Sequence, residues 1–257
     1  MNGRLKDWLL WRAKRMLSPA RLEEDGIRRQ VRRFAVRLRG NCLDVGCRSK
    51  PYAREIAPFV ERHYGIDLVR PRNRATRGPE VLGSALALPF RTASFDSVLC
   101  TQVLDDVPEP LQALKEFARI LRSGGMLLVT VPQSWGEHDL PHDYWRFTEP
   151  GLRMLLTAAG FEIEAVDRRG GVGIVAFERL SAFLYYSWGK GFLPLRIVVV
   201  AACAIIQLLG QAVDLLDHTR ADTLGYAVLA KRASNAGSGI TIERGFGRVE
   251  TRRDPAD

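Results

Sequence analysis

A chain of 257 residues with 46% apolar side chains suits one sizeable globular domain with additions, which sets aside the disordered and fibrous classes. Its net charge of +9 is unevenly placed: residues 1–40 hold twelve Arg or Lys against four Asp or Glu, so the remainder is almost neutral, and a basic arm before a neutral domain does not single out nucleic acid. The four cysteines (Cys42, Cys47, Cys100 and Cys203) form no C-x-x-C pair and mostly sit in apolar runs, so they read as reduced core residues of a cytoplasmic protein.

Residues 4–17 set Leu5, Trp8, Leu9, Trp11 and Leu17 among Arg4, Lys6, Arg12, Lys14 and Arg15, the composition of a basic amphipathic helix at a membrane interface. No secretory signal is expected there, because charges interrupt the apolar residues. Pro19 breaks this helix, and Leu22 to Leu38 starts another with an arginine-rich face. Asn41–Val45 reads as the first strand, with a glycine turn at Gly46 and a helix over about Pro51–Val60. A second strand near His63–Ile66 closes on Asp67. After a polar loop come Val81–Phe90 and a buried strand at Ser94–Cys100. Leu111–Leu121 has helical spacing, with Gly124-Gly125 as its stop, and Met126–Val131 is a further buried strand. A polar loop (133–148), a helix (149–159), a strand (161–166), and a final strand (223–232) complete an alternating α/β pattern. Between residues 172 and 217 the pattern is interrupted by apolar helical sequence. Phe192–Leu209 is at the lower limit for crossing a bilayer, and an interfacial or buried helix suits it better. The expected domains are a basic helical arm (1–40), an α/β domain (41–232) and a disordered tail (233–257).

The chain is organised around Asn41–Pro51, NCLDVGCRSKP. Strand, glycine turn, helix, strand and carboxylate make the first half of a nucleotide-binding βαβ unit, with Asp67 placed 23 residues after Asp44 to accept ribose hydroxyls. Gly46 alone does not meet the three-glycine pattern of dinucleotide enzymes. Asp44-x-Gly46, then Ala87-Leu88-Pro89-Phe90 with Ser94-Phe95-Asp96, then LKEFARILRSGGMLLVTVP, together resemble the methyltransferase type 11 domain of class I S-adenosylmethionine-dependent methyltransferases. HDYWRFT resembles a bacterial subgroup associated with cell-surface sugar or lipid pathways.

The resemblance implies a Rossmann-like methyltransferase fold: a mostly parallel seven-stranded sheet with helices on both faces, here with an apolar helical insertion before the last strand. It implies S-adenosyl-L-methionine as cofactor, held by Asp44, Gly46, Cys47, Asp67, Ser84, Ala85 and Leu86, with Asp44 toward the methionine ammonium. Three departures stand out: Arg48 replaces a glycine, Ser84 replaces an acid, and Asp105-Asp106 replaces a Glu-His pair. For the acceptor side, Asp106 and His142 are the candidate bases, with Asp105 and Asp106 otherwise capping the next helix. His138 and His142 have H-x3-H spacing, but Pro141 puts them in a loop, so no metal is expected. The expected acceptor is a small molecule or a lipid- or sugar-linked one, met in the cytoplasm or peripherally on the inner face of its membrane. A catalytically inactive, membrane-tethered module and a nicotinamide enzyme are the alternatives.

Overall fold

The computed structural model describes residues 21–70, 78–189, 192–219 and 221–234; the expected amphipathic helix at 4–17 and the tail from 235 lie outside them. Seven strands form one sheet in the order β3-β2-β1-β4-β5-β7-β6. They are β1 (Asn41–Val45), β2 (Arg62–Asp67), β3 (Val81–Leu82), β4 (Phe95–Thr101), β5 (Leu121–Pro132), β6 (Phe161–Arg168) and β7 (Gly225–Arg232). β7 runs antiparallel between β5 and β6, while the pairs from β3 through β5 are parallel. Parallel strands covered on both sides read as continuous apolar runs, as β4 and β5 do.

One face of the sheet is covered by α1 (Arg21–Ala35), whose Ile27, Val31 and Phe34 bury against Cys42, Leu99, Leu128 and Leu229. The described part of the basic arm thus belongs to the core. Its arginines occupy the outer side, and the buried Arg169 ties it to the sheet through Glu23 (2.7 Å) and Gln30 (2.9 Å). The other face carries α3 (Pro110–Ile120) and α4 (Glu149–Ala158), with Leu114, Phe117, Leu152 and Leu156 fully buried.

Two local expectations are corrected. The helix after Gly46, α2, covers only Ala53–Ile56 and not about Pro51–Val60, because left-handed Arg48 and Lys50 extend the turn and Pro58 has no N–H with which to continue the helical bonds. The Gly124-Gly125 pair does not stop α3, which ends at Ile120. It lies inside β5, where a bulge shifts the register between the Phe95↔Leu121 and Ser97↔Met126 pairs.

The apolar insertion is an antiparallel hairpin of α5 (Val172–Trp188) and α6 (Leu193–Asp214). Asp214 closes its foot, accepting from Gly171 N–H (2.9 Å) and Ile174 N–H (3.1 Å), while Asp217 accepts from Val172 N–H (2.9 Å). The helices approach closely because a Cβ on Gly173 would lie 2.6 Å from the Asp214 nitrogen, and one on Gly210 would lie 2.6 Å from Phe177 Cβ. Leu180, Phe183 and Tyr186 on α5, and Ile197, Ile205 and Leu209 on α6, are left exposed.

Candidate active site

The carboxyl ends of β1, β2 and β4 meet at the point where the strand order reverses, which is where open α/β sheets bind ligands. Gly46 makes the turn there with φ +68°, and a Cβ on it would lie 2.2 Å from Val103 Cγ2, so no other residue fits. Gly46 N–H donates to Ile66 carbonyl (2.9 Å), and Arg48 N–H donates to Asp67 Oδ2 (2.8 Å). Below the turn, buried Lys50 holds the Glu80 carboxylate (2.7 Å) and the His63 carbonyl (2.9 Å). The left-handed backbone at Arg48 and Lys50 is fixed by these bonds from both sides.

Above the turn lies a cleft of two lobes that share Gly46, Arg48, Gln102 and Asp106. The first, about 180 Å³, runs over Asp67, Ser84, Ala85 and Leu86. The second, about 270 Å³, runs over Cys47, Tyr52, Trp135 and His138. A wider apolar groove of about 510 Å³ between α3 and α4 shares no lining residue with either lobe.

Of the residues expected to hold a nucleotide cofactor, Gly46, Cys47, Asp67, Ser84, Ala85 and Leu86 line this cleft. Asp44 does not. It is 1% exposed beneath the turn, with Oδ2 3.0 Å from His63 Nε2, and burial raises its pKa against the lowering influence of that imidazole. Its Oδ1 is buried without a hydrogen-bond partner, so a donor brought by a ligand would satisfy it. The Cys47 thiol is pushed up to about 12 by burial and by the charge of Asp44, which makes it a neutral wall and no nucleophile. Ser84 accepts a hydrogen bond from the Leu86 amide (3.2 Å), a local turn that shapes the rim.

Of the two residues expected as candidate bases, Asp106 lines the second lobe and His142 does not. His142 is exposed and faces the Tyr144 hydroxyl (3.1 Å), away from the cleft, and is not brought beside Asp106. His138 lines the second lobe with Asp106. Its place follows from the HDYWRFT segment: Arg146 grips both Asp143 oxygens (2.6 and 2.8 Å) and the Trp135 and Gly136 carbonyls, and Asp143 accepts from the His138 amide (2.9 Å). That bidentate pair holds the Asp143 carboxyl well below the ordinary range. The sequence signal for His138 was its five-residue spacing to Asp143, inside the loop set aside as a non-helical H-x3-H. Asp105 and Asp106 cap no helix; they form a single 3-10 turn, Leu104–Asp106, and α3 begins after Glu109 without a side-chain cap. Asp105 is fully buried, and its pKa is raised to about 6, first by burial and then by Asp106. Phe147 is buried in the core, whereas Trp145 is 43% exposed and anchored through its indole N–H to the Val107 carbonyl (2.9 Å).

The sheet order and the cleft at its switch point define a Rossmann-like methyltransferase fold. The methyltransferase domain family matches residues 43–129. A demethylmenaquinone methyltransferase of Geobacillus kaustophilus is 32% identical over 142 residues, covering 49% of this chain and 61% of that protein. A Mycolicibacterium smegmatis protein named for S-adenosylmethionine-dependent methyl transfer is 33% identical over 145 residues, covering 51% of this chain and 56% of its own length. The chain thus spans little more than half the length of these relatives. A solved structure from Galdieria sulphuraria, named for a sarcosine dimethylglycine methyltransferase, shares the fold at 16% identity, with a TM-score of 0.52 over 84% of this chain and 86% of that one. Residues 43–129 thus match the methyltransferase domain family, within a fold that the chain shares with solved methyltransferases.

Proposed function

We propose that this protein transfers a methyl group from S-adenosylmethionine to an acceptor presented at, or linked to, a membrane. The observation that carries the reading is the shared floor of the two lobes: Gly46, Arg48, Gln102 and Asp106 join a ribose-carboxylate side to an acceptor side. The residues fit the cofactor. Asp67 offers a half-buried carboxylate at the end of β2, Ser84–Leu86 form an adenine-side rim, and Asp44 Oδ1 beneath Gly46 is an acceptor in want of a donor. The bound cofactor supplies an activated methyl on a sulfonium, a good leaving group. The protein's contribution is then alignment of the acceptor and exclusion of water, and a base where the acceptor carries a proton. Asp106 and His138 are the groups that face the second lobe and can hold that proton.

The membrane part of the reading is supported by the hairpin. Pro194–Asp214 is long and apolar enough to cross a bilayer, with mean hydropathy 2.0 and only 28% of that stretch buried. It packs along α5, which buries Ser181 and Glu178, so the pair suits a position flat against a membrane surface with its outer face in the acyl boundary. Curated relatives named for demethylmenaquinone agree with a membrane-borne acceptor. Isothermal titration with S-adenosylmethionine, S-adenosylhomocysteine and NAD tests the cofactor. Transfer of labelled methyl into a membrane lipid extract, against a soluble metabolite extract, tests the acceptor. Binding of NAD alone would overturn the first part, and label confined to soluble products the second. Cofactor binding with no transfer to either would favour the inactive tethered module.

A further inference from the structure

Behind the second lobe, four side chains from two separate segments converge. Asp105, Asp106, His138 and Asp143 each present a ligand atom, and all four atoms lie within 4.8 Å of one another. An acidic cluster alone is unremarkable, but this one contains an orphan. Asp105 is 0% exposed and neither of its carboxylate oxygens has a hydrogen-bond partner; Oδ1 of Asp106 is likewise buried and unpartnered. Buried carboxylate oxygens without donors call for an ion or a proton to account for them.

The geometry distinguishes the members. Asp143 is already neutralised by bidentate Arg146 and approaches His138 Nδ1 at 3.3 Å, beside the Gly136 carbonyl, also at 3.3 Å from Nδ1. Carrying its proton on Nδ1, His138 turns the Nε2 lone pair toward Asp105 Oδ2, 3.8 Å away. That separation is too long for a hydrogen bond. It is right for two ligands of one ion, since bonds of about 2.1 Å allow ligand atoms up to about 4.2 Å apart. A carboxylate or carbonyl on the far nitrogen of a ligating histidine is the usual support for such a ligand. The charges also close: Asp143 balances Arg146, and the carboxylates of Asp105 and Asp106 balance a dication.

We propose that Asp105, Asp106 and His138 bind one divalent cation of the magnesium–manganese class, with Asp143 as the positioning carboxylate behind His138. Two carboxylates with one imidazole suit a hard to borderline ion better than a thiophilic one. Because Asp106 and His138 also line the second lobe, the remaining coordination positions face the cleft, where an acceptor oxygen could be held; that last role rests on the methyltransferase reading, whereas the ion site does not.

Manganese binding to the full chain, followed by loss of the free-ion paramagnetic resonance signal in the absence of any nucleotide, tests the site. One ion per chain is expected. Asp105→Asn and His138→Gln should each weaken it at least tenfold, and Asp143→Asn by about ten- to a hundredfold. Since a variant could fail to fold, broadening of the His138 ring resonances by substoichiometric manganese in the unaltered protein gives a second reading. Undiminished binding in Asp105→Asn, or sharp His138 resonances in the presence of manganese, would overturn the proposal and leave an imidazolium–carboxylate cluster in its place. Cofactor titration on the same preparation keeps this result separate from the test of methyl transfer.

Discussion

Arg48 gives its backbone amide to Asp67 and its guanidinium to Asp139, at 2.8 Å in each case. Arg48 therefore braces the Asp67 carboxylate with its main chain and reaches its side chain across to Asp139. The backbone bond does not depend on the side chain in Arg48→Gly, the Arg48–Asp139 pair is largely exposed, and φ of +44° favours glycine. Arg48→Gly should thus change S-adenosylmethionine affinity less than tenfold and leave the melting temperature equal or higher. A tenfold gain in affinity would mean that the side chain obstructs the site.

Asp67 stands differently, because its carboxylate both fixes the turn and faces the first lobe. Asp67→Ala should weaken binding of S-adenosylmethionine and S-adenosylhomocysteine alike, by about 1–3 kcal/mol in titration calorimetry. Equal affinity in the variant would remove Asp67 from the cofactor site.

Glu178 predicts a pH dependence of stability. Burial, then the charge of Glu23, raise its pKa from 4.5 to about 8; Arg179 opposes the shift and Glu24 adds to it. The folded state holds this proton more tightly than the unfolded state, so its contribution is complete below about pH 4.5 and is lost as pH rises toward 8. The loss is on the order of 4 kcal/mol by linkage. Glu178→Gln should flatten the fall of melting temperature between pH 5 and 8.5 and raise it at the upper end. An unchanged slope would show that Glu178 ionises freely in the fold.

The hairpin should be intolerant of small additions at its foot. Alanine is the better helix former by about 1 kcal/mol. Yet its Cβ at position 173 would meet the Asp214 backbone at 2.6 Å, an atom that cannot swing aside. Gly173→Ala is expected to lower the melting temperature and to loosen amide exchange protection across α5 and α6. A more stable variant would contradict the packing.

The membrane attachment proposed above rests on two elements, the basic Trp8–Arg15 sequence and the exposed apolar residues of the hairpin. Each basic residue near an anionic surface contributes about 1 kcal/mol, and the apolar face adds a part that salt does not screen. Flotation with anionic vesicles should recover the protein at low salt and part of it at high salt. Removing residues 1–18 should reduce the salt-sensitive part, whereas Phe183→Asp with Leu209→Asp should abolish the salt-resistant part. Protein wholly in the soluble fraction at low salt would leave the hairpin as a surface for another role.

The alternation of strands and helices, the glycine turn and a carboxylate at the end of the second strand were legible because each follows from local chemistry: period, turn residue and strand end. What was not legible depended on contacts across the chain. Asp44 sits in the right motif, but its direction is decided by His63 on the neighbouring strand. His138 and His142 look equivalent in sequence, and only the Arg146–Asp143 clamp, reaching back to the His138 amide, decides which one enters the cleft. Asp105 and Asp106 read as helix caps because nothing nearby in sequence announces the loop that closes over them from residues 136–146.

The hairpin also bears on the order in which the chain folds. Its foot bonds bring residues 171 and 214 together, and just outside them Arg169 N–H donates to the Gly225 carbonyl (2.8 Å), as Leu224 N–H does to the Arg169 carbonyl (3.0 Å). Without the hairpin, pairing β6 with β7 would close a loose loop of about 54 residues; with it formed first, about a dozen remain to be closed, a difference of about 1 kcal/mol in loop entropy. Two helices in contact form from local sequence far faster than a long loop finds its partner. The same element that turns an apolar face outward thereby delivers the last strand to its slot between β5 and β6, so a variant that splays the hairpin should slow completion of the sheet even where the finished sheet is unharmed.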